Sequence, residues 1–197
     1  MAKNEELVRI SSSAFLNLLL HVFRFWSIKD VNKREVACGL LIGIIEGDTR
    51  YVKKISPLLH QPKKDIKMDE EFMRMVGRKN KEELDNNSMN EVIGWYRSSQ
   101  EGIKFTARDI KNHIQFQEHN SRFIGLVLDP QGYLHPEESG FSIFRLEGEK
   151  YYNMMTDFYR IPWEIEEIED AHEIISAFKT YIKNYFLNEP LIKEINE

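Results

Sequence analysis

Two hydrophobic rhythms alternate along the chain. Phe15, Leu18, Leu19, Val22, Phe23 and Trp26 recur at helical spacing, which predicts an apolar helix over residues 12–28. Ser11 stands where an N-cap belongs, and Ile10 ahead of it is placed to staple onto Phe15. The run VACGLLIGII then breaks the helical period. It is too apolar and too punctuated by glycine for a surface helix, so it reads as a central strand buried on both faces. Gly39 and Gly43 within it predict close backbone approach. A Gly-Asp turn in EGDT leads to RYVKKISPLLH, the expected antiparallel partner.

Residues 61–68 are polar and read as a loop. DEEFMRMVGRKNKEELDN is rich in helix formers and sets Phe72, Met75 and Val76 on one side. Gly77 weakens it, leaving one helix or two short ones. EVIGWY predicts a second buried strand, Thr106 opens a helix running to about 120, and RFIGLVLDP predicts a third strand stopped by Asp129 and Pro130. QGYLHPEESG reads as a loop, and FSIFRL with EGEKYYNM as a hairpin around Glu147 and Gly148. Pro162 marks a break. Beyond it, Ile165, Ile168, His172, Ile175, Phe178, Ile182 and Phe186 predict a long amphipathic C-terminal helix. The order implies one mixed α/β domain over residues 8–150 and a helical extension over 151–197, with no internal repeat.

Composition narrows the class. The 197 residues are 42% hydrophobic and 30% charged, as in soluble globular chains. The longest apolar runs are too short for a bilayer, and MAKNEELVRI lacks the basic start and apolar core of a secretory leader, so an intracellular location is expected. Net charge is −5, with 12 acids against 5 bases in residues 147–197. Nucleic-acid binders carry a basic stripe, which is missing here. The small basic patch of Lys63, Lys64 and Lys67 reads as a solvated loop. The single cysteine, Cys38, sits in an apolar run and reads as a core residue.

Candidate chemistry centres on GWYRSSQEG, residues 94–102, a strand end running into a loop. Such places often carry active sites in α/β proteins. This one offers Arg97, Ser98 and Ser99, and no histidine, cysteine or close acid pair. The serines have no assignable base, and a guanidinium cannot serve as one. Trp95 and Tyr96 read as packing residues. Thr106-x-x-Asp109 reads locally as a near capping box. His113 and His119 are six apart and do not share a helix face, while His60, His135 and His172 are isolated.

EVACGLLIG, ISPLLH, EVIGWYRSSQEGIKFTARDI and RFIGLVLDP, in that order, resemble the MPN domain, the fold of the JAMM metalloproteases, over residues 8–150. The resemblance implies a central mixed sheet flanked by helices, of cytidine-deaminase-like type, with a C-terminal helical extension. Catalytic members bind zinc through a His-x-His loop after GWY and an aspartate at the next helix start, with a glutamate near the first strand as base. Three protein ligands and an open position make the Lewis acid that this hydrolysis requires.

Mapped onto this chain, the histidine positions are Arg97 and Ser99, the helix-start serine is Thr106, and the aspartate is Asp109. The loop is one residue shorter than usual. The base position is Val36, and Glu35 is one residue off, which in a strand points it to the other face. The resemblance thus implies a degenerate site with no catalytic residues, no bound metal and no cofactor. Arg97 is expected to pair with Asp109 and replace part of the metal's charge.

Non-catalytic members of the family pair with catalytic ones in the proteasome lid, the signalosome, a translation-initiation complex and BRCC-type assemblies. GWYR, FTARD and HIQFQEH look most like Abraxas-type scaffold subunits. The implied function is a scaffold that positions or activates a zinc isopeptidase partner in a heterodimer. The alternatives are a free-standing module, homodimeric or not, that recognises ubiquitin-like proteins or peptides, and an enzyme using other residues. Neither nucleic acid nor membrane is an expected partner.

Overall fold

A computed structural model of the chain describes residues 6–26, 34–61, 70–134, 140–148, 155–166, 173 and 176–180. The elements are β1 (Leu7–Ser11), α1 (Ser12–Arg24), β2 (Val36–Glu46), β3 (Thr49–Gln61), α2 (Glu70–Asp85), β4 (Glu91–Ser98), α3 (Ala107–His119), β5 (Ile124–Leu128), α4 (Pro130–Tyr133), β6 (Phe141–Leu146), β7 (Phe158–Ile161) and β8 (Trp163–Glu166). All eight strands form one sheet in the order β7-β6-β5-β4-β2-β3-β1-β8. β4 and β5 are parallel, as β1 is to β3 and to β8, and the remaining pairs are antiparallel. This is the mixed α/β architecture expected from the sequence. No helix among the described residues is long and apolar enough to cross a membrane.

Two hydrophobic clusters cover the two faces of the sheet. On one, Phe15, Leu18, Leu19, Val22 and Phe23 of α1 pack over Val8, Ile93, Tyr96, Leu126 and Ile143. On the other, Phe72 and Val76 of α2 and Ile110 and Phe116 of α3 pack over Leu40, Ile42, Trp95, Val127 and Phe144. The alternation of β2 divides it cleanly, with Ala37 and Leu41 facing α1 and Val36, Cys38, Leu40 and Ile42 facing α2 and α3. β4 departs from alternation because its register against β2 jumps from Leu41↔Gly94 to Ile42↔Val92, so Ile93 is an extra residue. The bulge resets the phase. Trp95 and Arg97 therefore share the α2/α3 face with Val36, while Tyr96 faces α1.

Several local expectations hold. Ser11 caps α1 by accepting from the Ala14 N–H at 3.2 Å. A Cβ at Gly39 would lie 2.4 Å from the Ser56 carbonyl, and one at Gly43 1.7 Å from that of Tyr51, the close approach inferred for both. α2 is a single helix through Gly77. α1 ends at Arg24 instead of 28, where Phe25 and Trp26 donate back to Val22 and Phe23 in tightened i→i+3 bonds.

Other expectations are corrected. LVRIS, unassigned from the sequence, is β1, which pairs with β3 and β8. The loop after Pro130 begins with a helical turn capped by Asp129, whose side chain accepts from Gln131 N–H at 2.9 Å. β6 finds its hairpin partner in Phe158–Ile161, further along than expected, and Glu147 N–H donates to the Asp157 carbonyl at 2.7 Å. Trp163–Glu166, expected to start the C-terminal helix, is strand β8, paired parallel with β1. Trp163 and Ile165 fit both a strand and a helix period over so short a run; the open edge of β1 decides between them. Helix is described only at Glu173 and residues 176–180, and the rest of the expected C-terminal helix lies outside the described residues. So do His135, His172, the returning arm of the expected hairpin over residues 149–154 and the Lys63, Lys64 and Lys67 patch.

β7 and β8 lie at opposite edges of the sheet yet are separated only by Pro162, so residues 158–166 link one edge to the other and the sheet curls toward a barrel. Sheet residues therefore continue past residue 150. A charged knot accompanies this closure. Glu6 accepts from Arg145 and from Tyr159 (3.1 Å) and pairs with Arg50 at 3.2 Å, joining the start of β1 to β6, β7 and β3. Burial works against the Glu6 carboxylate, but the Arg145 hydrogen bond and the Arg50 charge prevail and hold its pKa below the ordinary value.

A Cβ on Gly77 would meet nothing within 4 Å. Gly77→Ala is therefore expected to stabilise the protein by about 0.5–1 kcal/mol, by removing unfolded-state entropy from a helical position. Urea unfolding at neutral pH measures it.

Candidate functional site

Val36, Arg97, Ser99, Thr106 and Asp109, far apart in sequence, line a single cavity of about 180 Å³. Ser98, Gln100, Glu101, Lys104 and Arg108 complete the lining. Val36 begins β2, Arg97 and Ser98 end β4, and Thr106 and Asp109 open α3. Glu35 is not among the lining residues, as its one-residue offset implies.

An aromatic ladder positions the start of α3. The Trp95 ring stacks on Phe105 with centroids 6.0 Å apart, and Phe105 stacks on Phe144 at 4.8 Å. Phe105 is thereby fixed in the core, and the next residue, Thr106, is held beside the end of β4. Thr106 Oγ1 accepts from Asp109 N–H at 3.2 Å, while Asp109 Oδ2 accepts from Thr106 N–H at 2.7 Å, which completes a capping box.

The same carboxylate binds Arg97 in a two-point fork. Arg97 Nε donates to Asp109 Oδ1 and Nη2 to Oδ2, each at 2.7 Å. Thr106 Oγ1 adds a further donor to Oδ2 at 2.7 Å. Arg97 also donates through Nη1 to the Ser98 carbonyl (3.1 Å) and through Nη2 to the Lys104 carbonyl (2.9 Å). Arg97 is 7% exposed and Asp109 2%. The local role of Asp109 as a cap and the expected ion pair both hold, because its two oxygens serve both. Ser98, missed as a structural residue, accepts from Ala37 N–H at 2.9 Å and ties the end of β4 to β2.

This donor set does not fit zinc. A guanidinium has no lone pair to give and stays cationic, and Asp109 already accepts four hydrogen bonds. Among the described residues, no three His, Cys, Asp or Glu side chains form a group able to hold a metal ion. Cys38 pairs across the strands with Arg97 and is buried.

A second polar contact lies behind the site. His113 is fully buried, and its Nδ1 accepts from Trp95 Nε1–H at 3.0 Å, which places the ring proton on Nε2. Burial, reinforced by the Arg145 charge, pushes its pKa down to about 3. Nothing in the sequence distinguished it from the other histidines except its place one turn beyond Asp109.

The sheet order, the two-sided packing and the placement of this cavity define an MPN-type domain. The family model described as JAB1/Mov34/MPN/PAD-1 ubiquitin protease matches residues 3–122, and the chain belongs to that family. Among solved structures, a protein of Desulfitobacterium hafniense determined in solution is similar, with a TM-score of 0.56 and 17% identity over 84% of this chain and 97% of that one. At that identity the likeness speaks for the fold. No curated protein matches the chain.

Two predictions follow from the site's buried charges. Asp109→Asn leaves the Arg97 charge buried without its counter-ion and should cost about 3–5 kcal/mol in urea unfolding. Combining Arg97→Met with Asp109→Leu should cost less than Asp109→Asn alone, because neither charge then remains; a larger loss would refute the pairing energetics. His113 binds a proton in the unfolded chain near its ordinary value of about 6.5 but resists one when folded. Unfolded chains therefore bind more protons below that pH, and stability falls as pH drops. Between pH 7.5 and 5.0 the loss from His113 should be about 2 kcal/mol, and His113→Gln should remove that part of the slope.

Proposed function

We propose that this chain is a non-catalytic member of its family, a scaffold that pairs with a catalytic zinc isopeptidase of the same fold and positions or activates it. The supporting observation is the two-point Arg97–Asp109 pair. Hydrolysis by this fold requires a metal with an open coordination position and a base to take the proton from bound water. At the corresponding positions this chain has a fixed cation, a hydroxyl, an aliphatic side chain and a carboxylate fully engaged by donors. The pair keeps the old ligand positions neutral and packed, so the domain folds without metal. A folded domain of this kind still offers surface to a partner.

The cavity beside the pair favours a second reading, a free-standing module that binds a ubiquitin-like protein or peptide, alone or as a homodimer. Purified protein should contain no stoichiometric zinc by elemental analysis and should not cleave isopeptide-linked ubiquitin chains; one zinc per chain would overturn the reading. Mixed with the catalytic family member encoded in the same genome, it should co-elute on gel filtration and raise isopeptidase turnover. Separate elution with unchanged turnover would favour the binding module.

A further inference from the structure

The knot that accompanies closure of the sheet gathers more positive charge than it neutralises. Arg50 of β3 is 1% exposed and Arg145 of β6 is 6% exposed. Glu6 is the carboxylate they share. Arg145 Nη1 and Tyr159 Oη (3.1 Å) donate to its Oε1, and Arg50 Nη1 lies 3.2 Å from its Oε2. A third guanidinium, that of Arg122, is exposed just ahead of β5, and the Arg122 carbonyl accepts from Arg50 Nε at 3.0 Å. Arg122 makes no ion pair among the described residues. Three positive charges therefore meet one negative charge. Burial, aided by the Arg145 and Arg122 charges, holds the Arg50 pKa below its ordinary value although Glu6 opposes the shift.

The hydrogen bonds are incomplete as well. Arg145 spends Nη1 on Glu6 and Nη2 on the Ser121 carbonyl, while its buried Nε has no partner among the described residues. Arg50 spends Nε on Arg122 and Nη1 on the Asp48 carbonyl at 3.0 Å, while its Nη2 has no acceptor among the described residues. Buried donors without acceptors are costly and mark places where a water or an ion belongs. A water would serve the donors and leave the surplus charge; an anion answers both. The Glu6 side chain is 26% exposed and Arg122 is exposed, so the cluster opens to solvent on that side.

We propose that this arginine cluster binds a phosphate group, whose oxygens accept from Arg122 at the mouth and from the unspent donors of Arg50 and Arg145 within. Two negative charges match the surplus of two; a monocarboxylate leaves half of it. Guanidinium forks also suit the geometry of a phosphate. The bound group would join the residues ahead of β5 to β3 and β6 beside the start of β1, and so tighten the closure of the sheet. No chemistry on the phosphate is implied. The cluster shares no residue with the Arg97–Asp109 site, and binding requires no partner subunit, so the inference stands apart from the scaffold reading.

The test is a titration of the ¹⁵N-labelled full chain with inorganic phosphate, methyl phosphate and acetate, followed by backbone amide shifts. Chloride holds the ionic strength constant, at about pH 8, where a phosphate group carries close to two charges. Inorganic phosphate should give saturable shifts centred on Leu7, Arg122 and Tyr159, and acetate should bind about tenfold more weakly. Arg122→Met, on an exposed side chain, should weaken phosphate binding about tenfold, whereas Arg78→Met, on an exposed part of α2, should not change it. A well-dispersed spectrum shows that each variant is folded. Saturable binding of methyl phosphate as well would assign the site to phosphomonoesters, and its exclusion to the free anion. Shifts that do not saturate, as expected if water alone serves the donors, would overturn the proposal. So would an equal response to acetate, or full affinity in Arg122→Met.

Discussion

A guanidinium removed from water must find its counter-charge within the protein. Arg97 is buried at the end of β4, and the two-point fork to Asp109 satisfies that demand. The pair ties a strand end to a helix start across a loop whose own carbonyls, at Ser98 and Lys104, take the remaining guanidinium donors. The cavity, the cap of α3 and the direction of the 99–105 loop all depend on it. A side chain thus bridges the two elements from within the protein.

The fork is held in position from both sides. The bulge at Ile93 turns Arg97 toward α3, and the Trp95–Phe105–Phe144 stack brings Thr106 and Asp109 to meet it. Farther away, the closure of the sheet by β7 and β8 and the Glu6 knot fix β6, which carries Phe144. Disturbing either edge of the sheet would therefore reach the site through packed aromatic rings rather than through the loop itself.

Keeping such a loop has a physical logic. The internally neutral pair fills the end of the loop without leaving a buried charge unpaired.

The sequence alone determined the central strands, the apolar face of α1, the start of α3, the Ser11 cap, the glycine close approaches and, through the order of the family's motifs, the five positions Val36, Arg97, Ser99, Thr106 and Asp109. These are local signals, set by period, capping chemistry and motif order. Arg97–Asp109 pairing was legible too, since a cation and an anion were the charged residues at adjoining motif positions. Tertiary structure decided the rest. LVRIS and WEIE are strands because each supplies the other's edge, and runs of four or five residues hold too few periods to announce it. The Ile93 bulge is a matter of register between strands, which no single strand encodes. Ser98 and Lys104 entered the site, and His113 was buried under Trp95, only when β2, β4 and α3 came together, because burial and hydrogen-bond completion are properties of packed surfaces and not of spacing along a chain.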